Sequence, residues 1–104
     1  MFDAIAERDV ICQRASGKYF PVTIRIGAPY RVEEGEWACP VSLTGLQEQL
    51  SDVHGVDSLQ ALLLAIGLAR KLLGYIIDDG GRILWPDSDS PVDLDTLFAD
   101  RPKR

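Results

Sequence analysis

The sequence predicts an α+β fold in two layers, with an antiparallel sheet of about four strands packed on one long helix. Short segments in the first half of the chain alternate apolar and polar residues, which is the period of a half-buried strand. Glycine-containing turns separate these segments, so successive strands are expected to pair antiparallel. A single run of strong helix formers, from Ser58 to Ile77, then supplies a cover for the apolar face of the sheet.

Three successive segments predict most of the sheet. A first strand is expected within residues 4–14, although the alternation is weak there. Apolar residues recur at every second position across residues 19–27, which makes the second strand clearer. Pro21 must lie at its start, at an edge or at a bulge, because proline has no ladder donor. The third strand covers residues 36–43, and its alternating apolar residues are Trp37, Cys39, Val41 and Leu43.

The long helix is expected over residues 58–77, with Asp57 or Ser58 as its N-cap and Gly80 as its left-handed terminator. Its apolar arc covers roughly 260° of the circumference, whereas a one-sided surface helix needs little more than 100°. The helix is therefore expected to be buried on more than one side. The remaining narrow stripe holds Gln60, Gly67, Lys71, Gly74 and Asp78.

Two weaker local patterns flank the helix. Thr44 and Gln47 have the spacing of a capping box, which predicts a short helical turn after the third strand. Residues 82–86 predict a short fourth strand that Pro86 ends. Residues 1–86 are thus expected to form a single domain.

Residues 87–104 are expected to form an acidic C-terminal tail. Within it, Ser90 and Pro91 have the pattern of an N-cap and a first helical residue. The following apolar residues predict one or two amphipathic turns that dock on the domain, namely Val92, Leu94, Leu97 and Phe98.

Composition and charge narrow the class of function. The 104-residue chain has a net charge of −5, which argues against nucleic acid because such binding needs clustered Lys and Arg. The most apolar stretch, Leu59 to Leu68, is interrupted by Gln60 and is shorter than the roughly 20 residues of a membrane span. The N-terminal residues lack the basic start of a secretory signal. A soluble, cytoplasmic protein with reduced cysteines is expected.

Cys39, His54 and either Asp52 or Asp57 are the available nucleophile, base and orienting acid. Cys39 alternates in phase with Trp37, however, which predicts a buried, inert thiol. His54 is the only histidine, so a histidine-based metal cluster is excluded. We therefore predict no catalytic, cofactor-binding or metal-binding residue.

The outward side of the long helix is the strongest candidate for an interface. Gly67 and Gly74 each cost about 1 kcal/mol against alanine in a helix, which close approach by a second helix or simple exposure would explain. The apolar arc exceeds what one sheet can cover, so a two-fold symmetric dimer is expected, with the tail as a partial shield. The predicted interface residues are Leu64, Gly67, Leu68, Lys71, Leu72, Gly74 and Tyr75.

Three segments resemble a family of short bacterial proteins of unknown function, over about residues 30–86: Trp37 to Pro40, Gly55 to Leu62, and Gly80 to Pro86. The resemblance implies a compact α+β unit in a bacterial cytoplasm and transfers no functional residue. The preferred hypothesis is a non-enzymatic protein-interaction or self-associating module. The alternatives are a small enzyme or thiol-based site that uses Cys39 and His54, and an immunity-type inhibitor of a bacterial toxin.

Overall fold

The computed structural model describes residues 2–98, which form two antiparallel sheets and one long helix. This confirms the α+β class, with a second small sheet beyond the predicted one. The strands are β1 Ala4–Gln13, β2 Tyr19–Gly27, β3 Tyr30–Glu33, β4 Glu36–Cys39, β5 Val41–Thr44, β6 Val53–Gly55 and β7 Arg82–Leu84. The helices are α1 Ser58–Asp78 and α2 Leu94–Leu97.

The larger sheet has the strand order β5-β2-β1-β7 and is built on the long β1–β2 hairpin. Its inner face is apolar, because Val10 pairs with Val22 and both are 1% exposed. The opposite face is polar: Thr23 donates to Asp9, and Arg25 pairs with Glu7 at 2.8 Å. β1 and β2 match the predicted segments, since their alternation follows the two faces of the sheet.

The predicted third strand, residues 36–43, is wrong as a single element. Pro40 divides it into β4 and β5, which belong to different sheets. Proline cannot donate to a ladder, and the chain changes sheet at this residue while Gly27 N–H donates to the Pro40 carbonyl at 2.9 Å. The predicted single sheet of successive antiparallel strands is therefore replaced by two sheets that meet at this corner.

The smaller sheet has the strand order β3-β4-β6, and sequence reasoning missed two of its strands. β3 is exposed at all four residues, so it has no alternation to detect. β6 contains three residues, one of them Gly55, which is too short to give a periodic signal. Trp37 on β4 and Trp85 after β7 are both partly buried against the core.

α1 lies close to both sheets, because the side that faces them carries small residues. Ala61, Ala65 and Ala69 are fully buried, and α1 contacts strands of both sheets. Gly55 permits the closest approach, since a Cβ there would lie 2.6 Å from the Ala61 nitrogen. Gly80 takes the predicted left-handed conformation after the helix, with φ of +93°.

The chain after β7 does not follow the predicted pattern in detail. Pro91 is not the first residue of a helix; it bridges Leu84 across the strand instead. α2 begins three residues later, because Asp93 rather than Ser90 is its N-cap and accepts from the Thr96 N–H at 2.7 Å. Val92 and Leu97 are buried in the core. Residues 99–104 of the predicted tail lie outside the described residues.

The predicted helical turn after the third strand is also absent from the described residues. Thr44 ends β5, and the chain then turns through Gly45, which has a φ of +97°. Leu43 and Gln47 form an isolated antiparallel bridge across this turn. The left-handed glycine explains the difference, because it breaks the run of right-handed residues that a helical turn requires.

The structure decides which residue caps α1. The Asp57 side chain accepts the Gln60 N–H at 2.7 Å, whereas Ser58 is the first helical residue. Asp57→Ala should therefore lower the free energy of unfolding by about 1 kcal/mol, the usual value of an N-cap. Ser58→Ala is the matched control and should change it by less than about 0.5 kcal/mol. Urea denaturation measures both, and an equal loss in the two variants would contradict this assignment.

Candidate interaction surface

The side of α1 that faces away from both sheets is apolar and exposed. Leu59, Leu63 and Leu64 are 63%, 56% and 47% exposed, and Tyr75 is 49% exposed. Val56, just before the helix, is 64% exposed. We call this surface the outer face of α1, and its residues are Val56, Leu59, Leu63, Leu64, Gly67, Lys71, Tyr75 and the polar Gln60, which lies on the same stripe as Gly67.

The alanine row explains why these leucines point outward. Positions 61, 65, 69 and 73 fall on one side of the helix, so the leucines that separate them turn toward its flanks and its outer side. If more positions of α1 were buried, fewer of its leucines would lie on the surface. The small residues thus set both the close helix–sheet contact and the composition of the outer face.

The two helix glycines have different surroundings. A Cβ on Gly67 would meet no atom within 4 Å, so this position is open. A Cβ on Gly74 would lie 3.7 Å from Leu94 Cδ1, because the segment that leads into α2 passes over it. A Cβ at Gly74 would thus make an ordinary van der Waals contact with the C-terminal segment, whereas Gly67 lies in the middle of the outer face.

The predicted interface residues divide into two groups. Leu64, Gly67, Lys71 and Tyr75 are exposed on the outer face, while Leu68, Leu72 and Gly74 are partly buried at its margins. Sequence reasoning missed Leu59 and Leu63, because it placed the exposed apolar residues on the flank of Leu64, Leu68, Leu72 and Tyr75 only. The four-residue spacing of the alanines is the signal that could have found them.

The C-terminal segment covers one edge of α1 and leaves the outer face open. Arg70 forms an ion pair with Asp95 at the start of α2. Leu97 is 6% exposed in the core, and the cleft between α2 and the larger sheet is lined by Ile66. α1 is thus packed on two sides, by the sheets and by this segment.

By length and composition alone, α1 is apolar enough to cross a membrane. It is longer than the apolar stretch Leu59 to Leu68, which by itself is too short for a membrane span. In this structure the helix is part of the domain core, since Ala61, Ala65 and Ala69 are fully buried. Several of its apolar residues, among them Leu59, Leu63 and Leu64, are nevertheless exposed on the surface of the domain.

The structure does not assemble the alternative thiol site. Ala38 pairs with His54 and Cys39 with Val53, so Cys39 and His54 lie on opposite faces of adjacent strands. The Cys39 thiol is buried and donates to the Gly27 carbonyl at 3.3 Å, and burial raises its pKa. Asp57 caps α1, as described above. These contacts make Cys39 a poor nucleophile with no base beside it.

Two polar pairs lie on the smaller sheet instead. His54 Nδ1 is 2.5 Å from Glu36, and the Tyr30 hydroxyl donates to Asp52. The hydrogen bond to Asp52 raises the pKa of Tyr30. Both pairs are exposed, and residues 2–98 contain no group of three His, Cys, Asp or Glu side chains that could hold a metal ion. Nothing in this arrangement selects a reaction.

A polar cleft of about 310 Å³ adjoins Asp52 on the larger sheet. Its charged residues are Arg25, Glu48 and Asp52, and Arg25 already pairs with Glu7. Because acids and a base line the same cleft, it favours no single charge class of ligand.

The chain belongs to the family described as "Domain of unknown function (DUF6968)", whose model matches residues 6–94. The match extends beyond the predicted resemblance over residues 30–86, since it includes most of β1, all of β2 and part of the C-terminal segment. Searches of curated proteins and of solved structures found no match. The family description gives no activity, so the function must be argued from this chain.

Both cysteines of the native protein should resist a thiol reagent. Burial raises the pKa of Cys12 to about 11 and also raises that of Cys39, and neither residue is accessible to solvent. In a time course with an aromatic disulfide at pH 8, both should react about a hundredfold more slowly than in urea, because reaction requires local unfolding.

Val32→Cys supplies the accessible control, since Val32 is 46% exposed on β3. His54→Ala should leave the rate at Cys39 unchanged. If native Cys39 reacts as fast as the cysteine at position 32, and slows in His54→Ala, the thiol-site hypothesis is correct and the buried assignment is wrong.

Proposed function

We propose that this domain is a non-enzymatic protein-interaction module that forms a homodimer through the outer face of α1. The observation that carries the proposal is the exposure of five large apolar residues on one surface, each between 47% and 64% exposed. Monomeric proteins rarely expose contiguous apolar patches of more than a few hundred Å² without a binding role. A second copy of the chain offers a surface of the same apolar character.

Gly67 supports a symmetric helix pair. It is open and lies between Leu63 and Leu64, so a second helix can approach the backbone closely at this position. If two α1 helices cross antiparallel about Gly67, residues whose numbers sum to 134 lie at the same height along the pair. Gln60 lies about 20° from Gly67 around the helix and falls near the contact, whereas Leu59 and Tyr75 lie about 80° to either side and flank it.

This register brings apolar residues of one helix level with a long basic side chain of the other. The apolar N-terminal half of each helix lies level with the half of the partner that carries Lys71, whose long aliphatic stem can cover apolar surface while its charge stays in water. A two-fold interface of this kind closes on itself and gives a dimer rather than a filament.

Charge favours a protein partner over a membrane surface for the same face. Helices that lie on membranes usually carry many Lys and Arg residues on their polar side. The outer face of α1 carries one, Lys71, and the chain has a net charge of −5, which anionic headgroups repel. The thiol-enzyme hypothesis receives no support from the contacts of Cys39, and no contact within residues 2–98 specifically favours a toxin inhibitor.

Leu63→Lys should convert the dimer to a monomer, because a charge placed beside Gly67 would have to be buried in the interface. Light scattering on the full chain at about 10–200 µM should give a dimer mass for the wild type and a monomer mass for this variant. Val32→Lys introduces the same charge at an exposed valine on β3 and should remain dimeric.

A wild-type monomer across this concentration range would refute the dimer. Co-sedimentation with vesicles of mixed neutral and anionic lipid tests the membrane alternative, which binding by wild type and not by Leu63→Lys would establish. Point substitution is a cleaner test than truncation at Asp89, because truncation would remove Val92 and Leu97 from the core.

A further inference from the structure

β1 has an unpaired edge next to an apolar cleft, on a part of the surface separate from α1's outer face. β7 pairs with β1 only at Ile11, Cys12 and Gln13, and a bulge interrupts the ladder between Ala4 and Ala6. Between these points, residues 6–10 have a ladder partner on the β2 side only, among the residues that the structure describes. Residues 6–9 are exposed. Such an edge presents backbone N–H and C=O groups that another extended chain can pair with.

The cleft lies on the inner side of this edge. It has a volume of about 200 Å³ and is lined mainly by apolar residues: Ala6 on β1, Ile24 and Ile26 on β2, Ile66 on α1 and the end of α2. Glu7 and Arg8 of β1 also line it. A site of about 150 Å³ lined by apolar residues holds benzene, so this cleft can hold one apolar side chain. The small side chain of Ala6 leaves it open at the strand edge.

The outer side of the same edge is acidic. Glu7 and Asp9 alternate with the inward residues, and Arg25 is the one base beside them, paired with Glu7. Asp9 accepts a hydrogen bond from Thr23, which leaves its charge in place. On the inner side Arg8 stacks over Trp85, the residue that follows β7, with its guanidinium carbon 5.4 Å from the ring centre.

We propose that the β1 edge over residues 6–10 binds an extended segment of a partner protein in which apolar and basic residues alternate. Backbone pairing with the edge requires an extended chain, since a helix has already satisfied its own N–H and C=O groups. Alternate residues of that chain point to opposite sides of the sheet. An apolar residue thereby enters the cleft, and its neighbours place Lys or Arg beside Glu7 and Asp9.

A second copy of this chain fits the edge less well. A two-fold axis perpendicular to the sheet would pair the central residue of the segment with the same residue of the second copy. The register that uses residues 6–10 fully then places Arg8 against the partner's Arg8, and Glu7 against the partner's Asp9. Like charges directly opposite each other destabilise a strand pair, so a different sequence is the better occupant.

Amide hydrogen exchange, measured by NMR on the full chain, tests the proposal. The probe is a capped peptide of about seven residues with alternating lysine and valine, and the control peptide has the same composition in two blocks. In the free protein, the alternate amides of residues 6–10 that point away from β2 should exchange fast. The alternating peptide should slow them by about tenfold or more, while amides of β3 stay unchanged.

Ala6→Phe would fill the cleft and should weaken binding of the alternating peptide about tenfold. Ala28→Phe, at an exposed alanine between β2 and β3, should leave binding unchanged. Equal binding of the block peptide would overturn the proposal, as would binding unaffected by Ala6→Phe. Protection of the edge amides before peptide is added would also overturn it. In that case a chain ending at Phe98 identifies the occupant: loss of protection assigns the edge to residues 99–104, and retention that weakens on dilution assigns it to a second copy.

Discussion

The close approach of α1 to the two sheets is the contact on which the rest of the structure depends. Ala61, Ala65 and Ala69 are fully buried, and Gly55 brings β6 so near that a Cβ would overlap the Ala61 backbone. Only small residues at these positions allow one helix to contact both sheets across the corner at Pro40. The two sheets therefore share one core, although different strands form them.

The same constraint determines which surfaces are available for binding. A helix that buries alanines must carry its leucines elsewhere, and the C-terminal segment covers only the edge of α1 that includes Arg70 and Gly74. The outer face therefore remains apolar and open. The short β7 leaves residues 6–10 of β1 without a ladder partner on the side away from β2, among the residues that the structure describes, and there α2 and Ile66 border a cleft instead of a strand. Both candidate binding surfaces exist because a neighbouring element is too short to cover them. The C-terminal segment does not reach the outer face of α1, and β7 does not extend along the whole of β1.

Sequence periodicity predicted the elements that have one buried face, and it failed where the backbone changes direction. β1, β2 and α1 are long and lie within a residue of their predicted bounds, and the alternation of β2 follows its burial. Apolar and polar residues alternate without interruption across residues 36–43, although the chain passes from one sheet to the other at Pro40. The sequence pattern alone therefore could not detect the break. The leucines of α1 satisfied a core pattern and an interface pattern equally well. The exposure of Leu59 and Leu63 depends on the depth of the alanine contact, which requires the three-dimensional structure.

Disulfide trapping at Gly67 tests the central claim most directly, because it reports the geometry of the proposed helix pair. Gly67→Cys places a thiol in the middle of the outer face, and Cys12 and Cys39 are buried and do not compete. An antiparallel crossing at this residue brings the two thiols within bonding range. Mild oxidation should then give a covalent dimer much faster for Gly67→Cys than for Val32→Cys, at equal concentration. Equal and slow cross-linking of the two variants would show that this face of α1 is not the interface.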